Sequence, residues 1–165
     1  GESVARKSLE YSKSMENRQL RVGIRCDVGS SIGVGHLMRS ASLAEEMLVR
    51  GWHVEFSCDA ASVPLAESRL AELGCTSIPA LQTPMEHLRW LSDRRLDATV
   101  IDSYTLDPRV SRVITTKAQT LSFIDGNPRG QSASIYLDQN YGAERLRVEL
   151  SQIPSPRALR RAGTG

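Results

Sequence analysis

The chain has 165 residues, enough for one domain with a substantial core, because the buried share of surface rises with length. Its 21 basic and 19 acidic residues leave a formal charge of +2 and are interspersed, so no basic stripe is present to neutralise a nucleic-acid backbone. Cys26, Cys58 and Cys75 show neither CxxC spacing nor clustered histidines, which argues against a disulfide framework or a zinc site, and no apolar run is long enough to cross a bilayer.

Those features predict a soluble, cytoplasmic protein that binds neither nucleic acid nor membrane and holds no metal or cofactor. Residues 1–19 are polar and aperiodic and are expected to form a flexible leader, with Met15 a candidate native start. Leu20, Val22, Ile24 and Cys26 alternate with period two and mark a first strand. The glycine-rich stretch Gly29 to Gly35 follows, and then Leu37, Ala41, Ala44 and Leu48 recur at helical spacing up to a stop at Gly51. His53 to Cys58 reads as a second strand. Asp59 to Ser62 offers polar capping before Pro64, ahead of a helix carrying Ala66, Leu70 and Leu73 on one face and ending at Gly74.

Cys75 to Leu81 is expected to be an edge strand, since Pro79 removes a ladder donor. Thr83-Pro84-Met85-Glu86 is a capping box with proline at the first helical position, opening a helix that turns Leu88 and Leu91 inward and ends in Arg94 and Arg95. Ala98 to Ile101 is a continuous apolar run, as for a strand covered on both faces. Asp107-Pro108 caps a helix with Val110, Val113 and Ile114 on one side. Thr120 to Ile124 and Ile135 to Leu137 complete six strands, and a further helix is expected over residues 143–150.

Strands alternating with helices specify an α/β domain: a single Rossmann-like, open, mostly parallel sheet with helices on both faces. The division expected is a leader over 1–19, the domain over 20–142 and a loose tail over 143–165. Ligands of such sheets bind outside the carboxyl ends of the strands, at the switch between the first and fourth. Asp27, Asp102, Tyr104, Asp125 and Asn140 all fall at strand ends and project toward that edge together with His36.

The spacing G-x-x-x-G-x-G-H differs from the dinucleotide fingerprint, which disfavours a nicotinamide cofactor. His36 sits at a helix N-terminus, where the dipole opposes the imidazolium form, and a neutral ring there is a candidate general base; packing at the helix start is the bland alternative. Asp27 and Asp102 either orient groups in the site or cap neighbouring helices. Arg25 and Arg39 either neutralise a ligand or pair with those acids. Tyr104 either hydrogen-bonds a water or sugar hydroxyl or covers the sheet edge. His53 belongs in a strand and His87 on an exposed helix face, both without a functional role.

The residues Arg25, Asp27, Ile32, Gly33, Gly35, His36 and Arg39, in the pattern R-x-D-x-x-x-x-I-G-x-G-H-x-x-R, resemble the motif of the nucleotide-sugar hydrolases of pseudaminic acid biosynthesis and the related spore-coat polysaccharide glycosyltransferase-like proteins. Val100 to Tyr104, Phe123 to Asp125 and Leu137 to Asn140 resemble later segments of that family, so the likeness runs from about Leu20 to Gly142; Gly126 stands where the family often has a second acid. The resemblance implies the N-terminal half of a GT-B (MurG-like) fold and metal-independent, inverting hydrolysis of a UDP-sugar, UDP-2,4-diacetamido-2,4,6-trideoxy-β-L-altropyranose in the family. His36 would activate water and Tyr104 would position it or the sugar, while Asp27, Gly33, Gly35, Arg39, Asp102 and Asn140 would line the substrate. It also implies that the donor site is incomplete without a C-terminal nucleotide-binding domain, supplied by a separate chain or replaced by self-association. The alternative is a non-catalytic sugar-binding or accessory module that docks on a partner chain.

Overall fold

The computed structural model describes residues 3–7 and 19–138, so Asn140, the helix expected over 143–150 and most of the leader lie outside the described residues. Six strands, Arg21–Cys26 (β1), His53–Ser57 (β2), Thr76–Ile78 (β3), Ala98–Asp102 (β4), Gln119–Phe123 (β5) and Ile135–Leu137 (β6), form one sheet in the order β3-β2-β1-β4-β5-β6. Every pairing is parallel. The helices are Gly35–Val49 (α1), Pro64–Leu73 (α2), Pro84–Asp93 (α3) and Pro108–Ile114 (α4). The protein is therefore an α/β, Rossmann-like domain, and its strand order reverses between β1 and β4. None of its described helices is long and apolar enough to cross a membrane.

Alternation along the strands builds two cores. Val22, Ile24 and Cys26 of β1, with Ala98 and Val100 of β4, pack with Leu37, Leu43, Ala44 and Met47 of α1 and with Ala66 and Leu70 of α2. Ile101 of β4 joins Trp90 and Leu91 of α3 and Val110 and Ile114 of α4 in the second core. Gly23 of β1 marks where the sheet meets α3 most closely, because a Cβ there would stand 2.6 Å from both Leu96 and Trp90. Gly23→Ala should overpack this seam and cost about 1–3 kcal/mol of unfolding free energy, read as a lowered midpoint in urea with unchanged slope.

Local signals place most boundaries. The Thr83 capping box forms in full, with Thr83 accepting from the Glu86 N–H and Glu86 accepting from the Thr83 N–H, and Asp107 accepts from the Arg109 N–H to start α4. Gly74 ends α2 in the left-handed region. The strand expected over Cys75 to Leu81 is confined to Thr76–Ile78, ending before Pro79, and it lies at the sheet edge. Asp59 does not cap α2. A single 3-10 turn, Ala60–Ser62, intervenes, and the Asp59 carboxylate accepts instead from the Ala80 N–H, fastening the loop after β3.

His87 departs from its expected exposed position: it is fully buried under α3, whose inward face is His87, Trp90 and Leu91. Its Nδ1 donates to the Thr83 carbonyl at 2.7 Å, and its Nε2 has no partner among the described residues. Burial, aided by the nearby Arg25 charge, lowers its pKa against the opposing pull of the Thr83 hydrogen bond and Glu86. A histidine that resists protonation when folded stabilises the protein fully above the unfolded value of about 6.5, and that stability falls as pH drops below it. Thermal melts from about pH 7.5 to about pH 5 should therefore show a falling transition temperature, with a shallower fall in His87→Leu.

Candidate functional site

The site forms where α1 begins over the carboxyl ends of β1, β4 and β5. Gly29 and Gly33 bond to each other across a tight loop, with the Gly33 N–H donating to the Gly29 carbonyl at 2.7 Å. Gly33 has φ 82°, which a residue with a side chain adopts only with strain, and a Cβ at either Gly33 or Gly35 would meet nothing within 4 Å. The loop thus leaves open space in front of the first turn of α1. No side chain caps that turn and no acid lies in it.

His36 is the second residue of α1 and is 9% exposed. Its Nδ1 stands 2.6 Å from Asp102 Oδ1. Since a carboxylate can only accept, Nδ1 carries the hydrogen of this bond, and the tautomer that it selects has its lone pair on Nε2. Asp102, at the end of β4, has no exposed surface. It also accepts from Arg39 Nε at 2.8 Å, Arg39 Nη2 at 2.5 Å and Ser40 Oγ at 2.9 Å. The bidentate arginine and two further donors offset the several kcal/mol that burying a carboxylate costs.

Arg39 continues the network. Its Nη1 donates to Asp125 Oδ1 at 2.5 Å, and its guanidinium lies 4.5 Å from the centre of the Phe123 ring. The Tyr104 hydroxyl donates to the other Asp125 oxygen, Oδ2. The Tyr104 ring returns to His36 edge-on, with centroids 4.4 Å apart and planes at 85°. Five side chains from α1, β4 and the loops after β4 and β5 close a ring. Burial pulls the Arg39 pKa down, yet the hydrogen bonds to Asp102 and Asp125 carry it above its already high value. Burial likewise raises Asp125, but the bonds from Arg39 and Tyr104 hold it below the usual carboxylate range. The bond to Asp125 pushes Tyr104 up, so the phenol stays protonated.

Of the residues expected to line the site, His36, Arg39, Asp102 and Tyr104 come together, with Gly33 and Gly35 beside them. Asp27 serves its neighbours instead. It is buried, and it accepts from Ser103 Oγ at 2.8 Å and from the Tyr104 N–H at 2.9 Å, which sets the loop that presents Tyr104. Arg25 pairs with Asp27 at 3.3 Å and donates to the Leu81 carbonyl at 2.8 Å, so its charge is spent inside the fold. His53 bonds Glu55 at 2.9 Å, in β2 and away from the ring.

Two further residues contribute beyond those expected to line the site: Asp125, which the sequence marks only as a polar strand end, and Arg129. Both take positive φ, 45° and 50°, which is uncommon outside glycine and concentrates at functional sites. Arg129 lies 3.7 Å from the centre of the Tyr104 ring and is held by Nη1 bonds to the carbonyls of Ile124 and Asn127. The turn-forming run Asp125-Gly-Asn-Pro-Arg129 was the available signal for a constrained loop here.

No family model matches the sequence, and no curated protein matches it. Among solved structures, the chain is similar to glutamyl-tRNA reductase from Methanopyrus kandleri, at 15% identity and a TM-score of 0.40, over 99% of this chain and 42% of that one. The chain thus spans about two fifths of that protein's length.

Asp102→Ala should strip three donors of their partner and cost about 3–5 kcal/mol of stability, measured by denaturant unfolding. Asp102→Asn should cost less, and nitrogen-15 spectra of His36 should move the hydrogen from Nδ1 toward Nε2, because the amide no longer requires a donor at Nδ1.

Proposed function

We propose that this chain is the N-terminal, base-bearing half of an inverting, GT-B-type enzyme that cleaves the anomeric C–O bond of a UDP-sugar. The observation that carries this reading is the His36–Asp102 pair at the strand-order switch, which leaves Nε2 as a proton acceptor on the residue after Gly35, where a Cβ would meet nothing within 4 Å. The resemblance of Arg25 to Arg39, Val100 to Tyr104 and Phe123 to Asp125 to nucleotide-sugar hydrolases supplies the substrate class. The nucleotide is bound mainly by a second domain, continuous with this chain or separate from it.

In this mechanism a water molecule donates one proton to His36 Nε2 as its oxygen attacks the anomeric carbon from the face opposite the nucleotide. The bond to the phosphate oxygen breaks, and its electron pair leaves with UDP. Inversion follows because the new and old bonds lie on opposite faces. Asp102 holds the imidazole in the required tautomer and steadies the imidazolium that forms, and Arg39 holds Asp102 in place with two hydrogen bonds.

The test is UDP release by the complete two-domain assembly. His36→Ala should lower turnover by about 10²–10⁴-fold, the usual contribution of a general base, while the folded state survives. Full turnover by that variant would remove His36 from the chemistry. Sugar-nucleotide binding without turnover in the wild-type assembly would make the chain an accessory module.

A further inference from the structure

We propose that Arg129 binds the diphosphate of the substrate from this half of the site, through the fork formed by its Nε and Nη2. The assignment rests on the sugar-nucleotide reading and adds to it the residue that recognises the charge of that substrate.

The two arginines of the glycine-loop motif are spent inside the protein. Arg25 pairs with Asp27 and donates to the Leu81 carbonyl. Arg39 lays Nε and Nη2 on the two oxygens of Asp102 and Nη1 on Asp125. Arg129 differs from both. Its side chain donates only from Nη1, to the carbonyls of Ile124 and Asn127 at 3.3 and 3.2 Å, and it forms no ion pair among the described residues. Nε and Nη2, the same fork that Arg39 uses on Asp102, are left without a protein partner there. Asp125, in the same loop, already accepts from Arg39 at one oxygen and from the Tyr104 hydroxyl at the other.

The guanidinium is nevertheless held in place. It lies 3.7 Å from the centre of the Tyr104 ring, and the Arg129 N–H donates to Asn127 Oδ1 at 2.9 Å. Its backbone is left-handed, with φ 50°. The Tyr104 ring in turn meets His36 edge-on with centroids 4.4 Å apart, so one aromatic ring separates this cation from the candidate base. An arginine so fixed has given up rotamer freedom while its charge stays unpaired, and its planar fork matches two oxygens of a phosphate. A diphosphate beside Tyr104 also lies near Asp125, and the Arg129 charge offsets that repulsion. Clamping Tyr104 alone calls on Nη1 and the face of the guanidinium, and leaves the fork without a role.

Inorganic pyrophosphate tests the site on the 165-residue chain itself. In nitrogen-15 spectra the Arg129 Nε signal, assigned by its loss in Arg129→Lys, should shift saturably with pyrophosphate and stay in place with uridine. A signal that does not move, or that moves as far with chloride at the same ionic strength, overturns the proposal. In the two-domain assembly, Arg129→Met should raise KM for the UDP-sugar by at least about tenfold with kcat changed far less. Arg129→Lys, which keeps the charge and loses the fork, should fall between. A lowered kcat at unchanged KM is the signature of a lost Tyr104 clamp and overturns the diphosphate role, as does cleavage with unaltered KM; both leave the hydrolase reading standing. Absence of UDP-sugar cleavage by the wild-type assembly overturns that reading instead, while the pyrophosphate titration still decides whether Arg129 binds a diphosphate.

Discussion

The buried carboxylate of Asp102 governs the site, and much of the surrounding structure exists to make its burial tolerable. An ionised group without exposed surface needs donors on every side, and α1 provides them from one turn: His36 at its second position, Arg39 three residues on, and Ser40 beside it. Helical spacing places positions three and four apart on one face, so a single turn surrounds the acid that β4 carries beneath it. The same contacts fix the imidazole. The hydrogen bonds that make the buried acid tolerable are thus the same ones that set the tautomer of the ring.

A second acid, Asp27, does comparable work one strand away. It is held by Arg25 from below and grips the Ser103 to Thr105 loop from above, so that Tyr104 emerges at a fixed angle. Arg25 in turn reaches the Leu81 carbonyl, tying the segment after β3 to the end of β1. The motif that spans Arg25 to Arg39 therefore contains two kinds of residue. Arg25 and Asp27 shape loops, whereas His36 and Arg39 gather around the buried Asp102.

The fold was legible because its signals are local and mutually consistent. Period-two runs located the strands, and β6 in particular has the bounds its apolar run indicates. Proline after a capping residue located α3 and α4. Where the reading failed, the cause was tertiary. The helical spacing of Leu88 and Leu91 leaves His87 on the exposed face, but Trp90, packed where Gly23 leaves room, shares the buried face with Leu91, and His87 lies there with them. Asp59 has the composition of a cap, yet the nearer donor is the Ala80 N–H from a segment 21 residues away. In the site, His36 was identifiable from its place at a helix start. Its partner was only one of several acids at strand ends, since a pairing across 66 residues has no sequence signature. Asp125 and Arg129 owe their positions to left-handed backbone, which residue type does not announce.

The ring draws on distant parts of the chain, and this has a consequence for how the protein reaches its native state. His36 and Asp102 meet where β1 pairs with β4, and α1, β2, α2, β3 and α3 lie between those two strands in the chain. Asp125 arrives one strand later. Contacts of such long sequence separation are slow to form, because loop-closure entropy is lost before they repay it. On a ribosome the first strand must emerge and wait while roughly eighty further residues are made, at about 5–20 residues per second. Partial folds built from β1, α1 and β2 alone would hold the histidine without its acid. Nascent chains should thus remain chemically silent until the crossover closes, so that the appearance of the site coincides with completion of the sheet.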